Sequence, residues 1–279
     1  MLRRMQDAAS LMWPAGSPMT AGELAWALLT STGEPEVRFF GPGWAWRDGG
    51  TAVILAGHPV TAAGAIAALP PRTTVQAADG DALLRDALER AGYREVSDAP
   101  FSIDMRLATA EAGPPVLPDG YLVRAAAEGD DLLGVHRAAW RPADLPFAAG
   151  CAPSPDPQAT SPLTAAMLAA VQDSWPYRPD LHIVVQTPGG GLAASCIAWL
   201  DPVTGIAAVE PLGVLPGHRR RGLAGALCLH AARLVRAAGG HELVIHARGD
   251  DAYPAPRGAY RRSGFTEAGR TRSYARPSP

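Results

Sequence analysis

Apolar side chains recur along this chain with two alternating periods, and the switches between them lay out its elements. Helical spacing runs through about residues 3–12 and through "AGELAWALLT", 21–30. Strand-like runs follow at "EVRFF" and, beyond the turn "RDGG", at "TAVILAG". A helix fits "DALLRDALERAGY", closed by Gly92, and a strand fits "FSIDMRLA". The stretch 109–120, "TAEAGPPVLPDG", has no apolar period and is rich in proline and glycine, which marks a domain boundary.

The pattern then restarts. A strand "YLVRAA" leads to a helix from Asp130 to Trp140, a long loop over 142–158 and a helix over 161–175. Three strands come next, "LHIVVQT", "LAASCIAWL" and "IAAVEPLGVL", joined by the turns "PGGG" and "DPVTG". A long helix over 222–238, a strand "ELVIHAR", a short helix near "AYRRSGF" and a terminal strand to about Tyr274 complete the chain. The expectation is an α/β chain of two mixed-sheet domains, 1–108 and 121–279, with a linker over 109–120. Each half reads helix, strands, helix, strand, which suggests a weak internal duplication.

Composition narrows the chemistry. A net charge of -2 argues against a broad nucleic-acid or membrane surface. All 25 strongly basic residues are arginine, so no single arginine stands out by residue type. Three cysteines without a close pair favour a reducing compartment, and the protein is expected in the cytoplasm. No metal-ligand spacing is present, and the start of the chain is a poor signal peptide. "GGGLAA", 189–194, matches a dinucleotide fingerprint in form, but a strand rather than a helix is expected after it.

One junction has the chemistry of an anion site. In "VLPGHRRRGLAGAL" a strand ends at Leu215, Pro216 and Gly217 break it, and a helix opens near Gly222. The first N–H groups of a helix lack internal partners, and its dipole there favours negative charge. Small residues at Gly222, Ala224 and Gly225 let a phosphate approach the backbone.

Arg219-x-x-Gly222-x-Ala224 also matches the R/Q-x-x-G-x-G/A signature of the GNAT superfamily of acyl-CoA-dependent N-acetyltransferases. "AWLDPVTGIAAVEPLGVLPGHRRRGLAGAL" resembles the strand–hairpin–strand–helix core of that family. "DDAYPAPRGAYRRSGF" resembles its closing N-P-A-A-x-x-L-Y-x-x-x-G-F segment. The resemblance covers about 120–276, and the end of the first half resembles the end of a second, degenerate GNAT domain.

The resemblance implies two GNAT-like domains in tandem, with acetyl-CoA as acyl donor and no metal. It implies that the backbone of Arg219, Arg220, Arg221, Gly222, Leu223 and Ala224 holds the pyrophosphate, and that Leu212, Gly213 and Val214 line the pantetheine arm. It places Tyr260 where the family has a tyrosine that protonates the departing thiolate, a role that its ordinary acidity suits. Glu210, four residues before Val214 on the same strand, is expected on the same face, able to deprotonate an amine through water. The implied reaction is direct attack by a small-molecule primary amine in a ternary complex. A monomer or weak homodimer is expected. The sequence departs from the family at Tyr253, which replaces the usual asparagine, and at Ala259, which replaces a leucine. The first departure leaves a non-catalytic acyl-CoA-binding regulatory protein as the competing reading.

Overall fold

The computed structural model describes residues 1–13, 17–151, 156 and 158–277. Twelve strands among these residues join in one mixed sheet, flanked by helices. In chain order the first half holds α1 (Leu2–Met12), α2 (Ala21–Leu29), β1 (Glu36–Phe40), β2 (Gly43–Asp48), β3 (Thr51–Leu55), α3 (Pro59–Ala67), β4 (Thr74–Ala78), α4 (Ala82–Arg90), β5 (Arg94–Glu95) and β6 (Ser102–Ala108). The second half holds β7 (Leu122–Ala125), α5 (Leu132–Ala139), α6 (Ala165–Gln172), β8 (His182–Gln186), β9 (Leu192–Asp201), β10 (Ile206–Val214), α7 (Leu223–Ala237), β11 (Glu242–Arg248), α8 (Ala255–Arg262) and β12 (Thr266–Ala275).

Local chemistry fixes most helix starts. At α2 the Thr20 hydroxyl accepts from the Glu23 N–H while the Glu23 carboxylate accepts from the Thr20 N–H at 2.7 Å, a reciprocal cap. Asp81, Asp131 and Thr164 cap α4, α5 and α6 with a side-chain oxygen. β6 alternates strictly, with Ile103, Met105 and Leu107 buried. β9 is buried along almost its whole length because both of its faces are covered, so it reads as a continuous apolar run.

The structure differs from the sequence expectation in several places. β2 and β4 were not expected: "GWAWRD" and "TVQAA" are short and of mixed polarity, and they become strands through pairing with β1, β3 and β12. The helix expected over 161–175 is confined to 165–172. Within the long loop, residues 142–144 form a single 3-10 turn, and 152–155 and 157 lie outside the described residues. The triple glycine is a hairpin turn, closed by the Thr187 N–H on the Gly191 carbonyl at 2.7 Å, and it leads straight into β9.

The strand order is β1-β2-β3-β4-β12-β6-β11-β10-β9-β8-β7, with β5 on β12. Each half carries a parallel crossover, β3–α3–β4 and β10–α7–β11, and each crossover pair is hydrogen-bonded over only three residue pairs. The closing strands are exchanged. β6 pairs antiparallel with β11 from Ser102↔Arg248 to Ala108↔Glu242, and β12 pairs with β4 from Thr271↔Ala78 to Tyr274↔Val75. Ile103, Met105 and Leu107 therefore belong to the core around α7, and Tyr274 to the core around α3 and α4.

α2 lies across β9 and β10 of the other half. A Cβ on Gly22 would stand 2.0 Å from the Trp199 Cβ, so glycine is what allows this helix to sit so low on the sheet. Among the described residues no helix is long and apolar enough to cross a membrane.

Candidate active site

β10 is paired with β11 only at Ile206, Ala207 and Ala208, and beyond that point the two parallel strands separate. On its other side β10 stays paired with β9, but the register slips by one residue between Val209 and Leu212. This bulge follows the sequence Glu210–Pro211, since proline has no N–H to donate to the ladder. The Trp199 indole N–H donates to the Glu210 carbonyl and holds the bulge in place.

The bulge overturns one expectation. Period-two alternation would put Glu210 and Val214 on one face. Instead Glu210 and Pro211 both line a cavity on the α5 side, while Leu212 and Val214 pack with the core around α7. Glu210 keeps the alternation set by Ala207 and Val209, and the extra residue turns Leu212 and Val214 to the α7 face. Gly213 lies under Ala139 and Trp140, with no room for a side chain.

At the far end of β10 the chain passes through a 3-10 turn into α7. Arg220 and Gly222 both take the left-handed conformation, at φ 62° and 81°. Alternation of this kind turns successive N–H groups to one side. Among the described residues no acceptor is found for the N–H groups of Arg220, Arg221, Gly222, Leu223, Ala224 and Gly225. A Cβ on Gly222 would meet nothing within 4 Å, so open space lies beside these donors. Six unpartnered donors at the start of a 15-residue helix fit a pyrophosphate.

Arg219 stands apart from them. Its N–H donates to the Pro216 carbonyl, and its guanidinium donates to the carbonyls of Val214 (3.2 Å), Ala139 (3.1 Å) and Asp144. It thus ties β10, α5 and the following loop together. Arg220 and Arg221 are exposed and make no ion pair among the described residues.

Tyr260, on α8, is almost wholly buried beside Phe265. Burial first, then Cys228, Glu210, Tyr253 and Cys196, push its phenol well above 10, in place of the ordinary acidity expected from sequence. It remains a proton carrier through the neutral range. Tyr253 stacks on Phe147 at 4.4 Å, and the Ala148 N–H donates to the Ala252 carbonyl at 2.8 Å. These contacts fasten the loop after Pro142 to the loop before α8.

Residues that the sequence reading passed over surround Glu210. His246, on β11, donates from Nδ1 to Asp104 of β6 at 2.9 Å and from Nε2 to Glu23 of α2 at 2.5 Å. Burial alone would strip the charge from His246, but Glu23 and Asp104 outweigh it and hold the imidazolium well above its usual range. Burial likewise opposes the Glu23 charge, and His246 with the Thr20 cap overcomes it. Among the described residues Glu210 has no such partner. Burial, then the negative charge of Glu23, raise it to about 7, with His246 pulling the other way. One carboxylate is thereby poised to gain and lose a proton near neutrality while its neighbours stay ionised.

The cavity at Glu210 measures about 260 Å³. Its walls include Trp26 of α2, His136 of α5, Trp140 at the end of that helix, and the segment Thr160–Leu163. His136 lies between the two indoles, 5.5 Å from Trp26 and 6.1 Å from Trp140 between ring centres. Burial, helped by Arg137, lowers His136 to about 4, so it lines the cavity as a neutral ring. No local motif marks these residues. Trp26, Glu23 and Asp104 reach the site through α2 and the exchanged β6, long-range placements that residue spacing does not record.

Residues 148–265 match the family model described as Acetyltransferase (GNAT) family. Over those residues the chain is similar to GNAT acetyltransferases. Solved structures extend the GNAT likeness at the level of fold. A GCN5-related N-acetyltransferase from Sphaerobacter thermophilus matches with a TM-score of 0.56 at 18% identity, covering 85% of this chain and 78% of that one. A tandem GNAT protein from the clavulanic acid biosynthesis pathway matches with a TM-score of 0.54 at 16% identity, over 100% of this chain and 96% of its own. A GNAT-family acetyltransferase from Colwellia psychrerythraea gives 0.59 at 11% identity, over 99% and 97%. No curated protein sequence matches the chain. The fold is that of two GNAT-like domains in tandem, and the GNAT half is the one that carries the unpartnered amides.

Proposed function

We propose that the chain is an N-acetyltransferase that moves an acetyl group from acetyl-CoA to a primary amine of a small molecule, by direct attack in a ternary complex. One observation carries the reading: a single separated strand, β10, ends at an amide cradle and bears at its bulge a carboxylate that titrates near 7. When bound, acetyl-CoA supplies an activated thioester. The backbone from Arg220 to Gly225 would hold its pyrophosphate, and the free edge of β10 at Leu212, Gly213 and Val214 would run beside its arm.

Only a neutral amine is nucleophilic, so Glu210, acting through water, takes one proton from the ammonium. Tyr260 holds the proton that the thiolate requires. The reaction forms one C–N bond, breaks one C–S bond and releases one proton overall. The acceptor enters on the α2 and α5 side of the sheet, where the first half covers the site. That cover favours a small molecule over a peptide. The protein acts in a reducing aqueous compartment, the cytoplasm, as a monomer or weak homodimer, without nucleic acid or membrane.

The second reading, a non-catalytic acyl-CoA-binding protein, draws on Tyr253, which is spent on the Phe147 stack. Calorimetric titration of acetyl-CoA on wild type and Gly222→Glu tests the cradle. A folded G222E should lose about a hundredfold or more in affinity, because a side chain at φ 81° is strained and its charge opposes the phosphate. Equal binding by both proteins refutes the cradle. Binding without transfer to any amine supports the second reading.

A further inference from the structure

We infer that the acceptor is a primary amine carried on a flat or apolar body of limited size and bearing no anionic group, and that Trp26, from the non-catalytic half, selects it. The inference rests on the acetyltransferase reading and concerns the cavity at Glu210.

Three aromatic rings set the shape. Trp26 and Trp140 flank His136, and all three line the cavity. His136 is neutral at working pH, so the ring wall carries no positive charge. Such a wall favours a flat hydrocarbon or ring, and it also tolerates an ammonium passing over the indole faces. At about 260 Å³ the cavity has space for on the order of ten non-hydrogen atoms, taking about 30 Å³ as the share of one water.

Charge sets the other limit. The one carboxylate in the wall is Glu210. The nearby cations are not among the residues that line the cavity. Arg219 is held by three backbone carbonyls, Arg137 donates to the Leu163 carbonyl at 2.9 Å, Arg141 pairs with Asp144, and His246 is clamped between Glu23 and Asp104. From Pro142 to Thr164 the sequence contains no arginine, lysine or histidine. Among the described residues the wall itself offers no cation to a carboxylate or phosphate on the acceptor, and an anion beside Glu210 would be repelled.

Trp26 enters because α2 sits low on β9 and β10, which the glycine at position 22 permits. The catalytic half alone would leave the cavity open on that side. The first half thus acts as a specificity element.

The experiment uses the full chain and four probe amines: 2-phenylethylamine, phenylalanine, glucosamine and spermidine. CoA release is followed with a thiol reagent, and amine binding is followed separately by calorimetry in the presence of CoA. We expect 2-phenylethylamine to be preferred over phenylalanine, the same body with a carboxylate, by about a hundredfold or more in kcat/KM. Trp26→Ala should raise KM for 2-phenylethylamine about tenfold with kcat changed less than about threefold and acetyl-CoA affinity unaltered. Trp26→Leu preserves the apolar packing of α2 and should show the same KM effect if the alanine variant fails to fold.

Equal use of phenylalanine, glucosamine or spermidine overturns the inference, as does a folded Trp26 variant with unchanged KM. If no amine is acetylated, calorimetry decides: 2-phenylethylamine bound in preference to phenylalanine upholds the cavity and removes the enzyme reading. No such preference removes the inference itself.

Discussion

Replacing Glu23 with glutamine isolates the electrostatics of Glu210. Glu210 is displaced from 4.5 to about 7, first by burial and second by the Glu23 charge. Glutamine removes the charge while keeping the shape, and it can still accept from the Thr20 N–H, so the α2 cap survives. His246 keeps Asp104 as a partner on its other nitrogen. Tyr260 stays protonated and His136 stays neutral near pH 7, so neither contributes to the change. The loss of a like charge lowers the pKa of Glu210 from about 7 toward the ordinary carboxylate range, each unit of the fall being worth about 1.4 kcal/mol.

A base works when deprotonated, so activity rises with pH through its pKa and the variant should rise earlier. The ratio of kcat/KM at pH 6 to that at pH 8 should therefore increase, by about fivefold for the first full unit that the pKa falls below 7. The ratio cancels any change in the plateau, and using one amine for both proteins cancels its own titration. The assay is steady-state acetylation across pH 5.5–8.5, with thermal melts to show that E23Q is folded. An acid limb that stays in place, or moves to higher pH, refutes the coupling between α2 and the Glu210 carboxylate.

Two further outcomes follow from the packing and from the tyrosine. Tyr260→Phe should lower kcat by about tenfold or more while leaving acetyl-CoA affinity within about twofold in a titration, because the change removes a proton and leaves the buried ring in place. Gly22→Ala puts a Cβ 2.0 Å from that of Trp199, and should cost about 1–3 kcal/mol by forcing α2 off the sheet, seen as a lower Tm together with a higher KM for the amine.

How far the sequence reveals the protein depends on the distance over which each feature is encoded. The cradle is local: Arg220 through Gly225 lie within one turn and the start of one helix, so a motif could mark it. Most helices and the core strands are likewise written in apolar period and caps. β2 and β4 are not, because "GWAWRD" and "TVQAA" become strands only between partners. The bulge at Glu210–Pro211 defeats simple alternation, since one extra residue sends Leu212 and Val214 to the face opposite Glu210. Arg219 reads as a ligand by motif, yet in the fold it is a clamp on three carbonyls. The Glu23–His246–Asp104 group and the Trp26 wall leave no trace in spacing, because they form across the seam between the halves.

The exchange of β6 and β12 has a consequence for how the protein is made. While the chain is being synthesised, the first half emerges with β4 lacking the neighbour that will lie beside it, since that neighbour is the ten-residue strand Thr266–Ala275. Until it arrives, a row of backbone donors and acceptors stays open to solvent, the kind of edge that invites misdirected pairing. β6 meanwhile has been made but must wait for β11. The two halves therefore cannot mature one after the other as beads on a string. The shared sheet is complete only once β12 is in place, and a nick in the linker after that would leave both pieces still woven together.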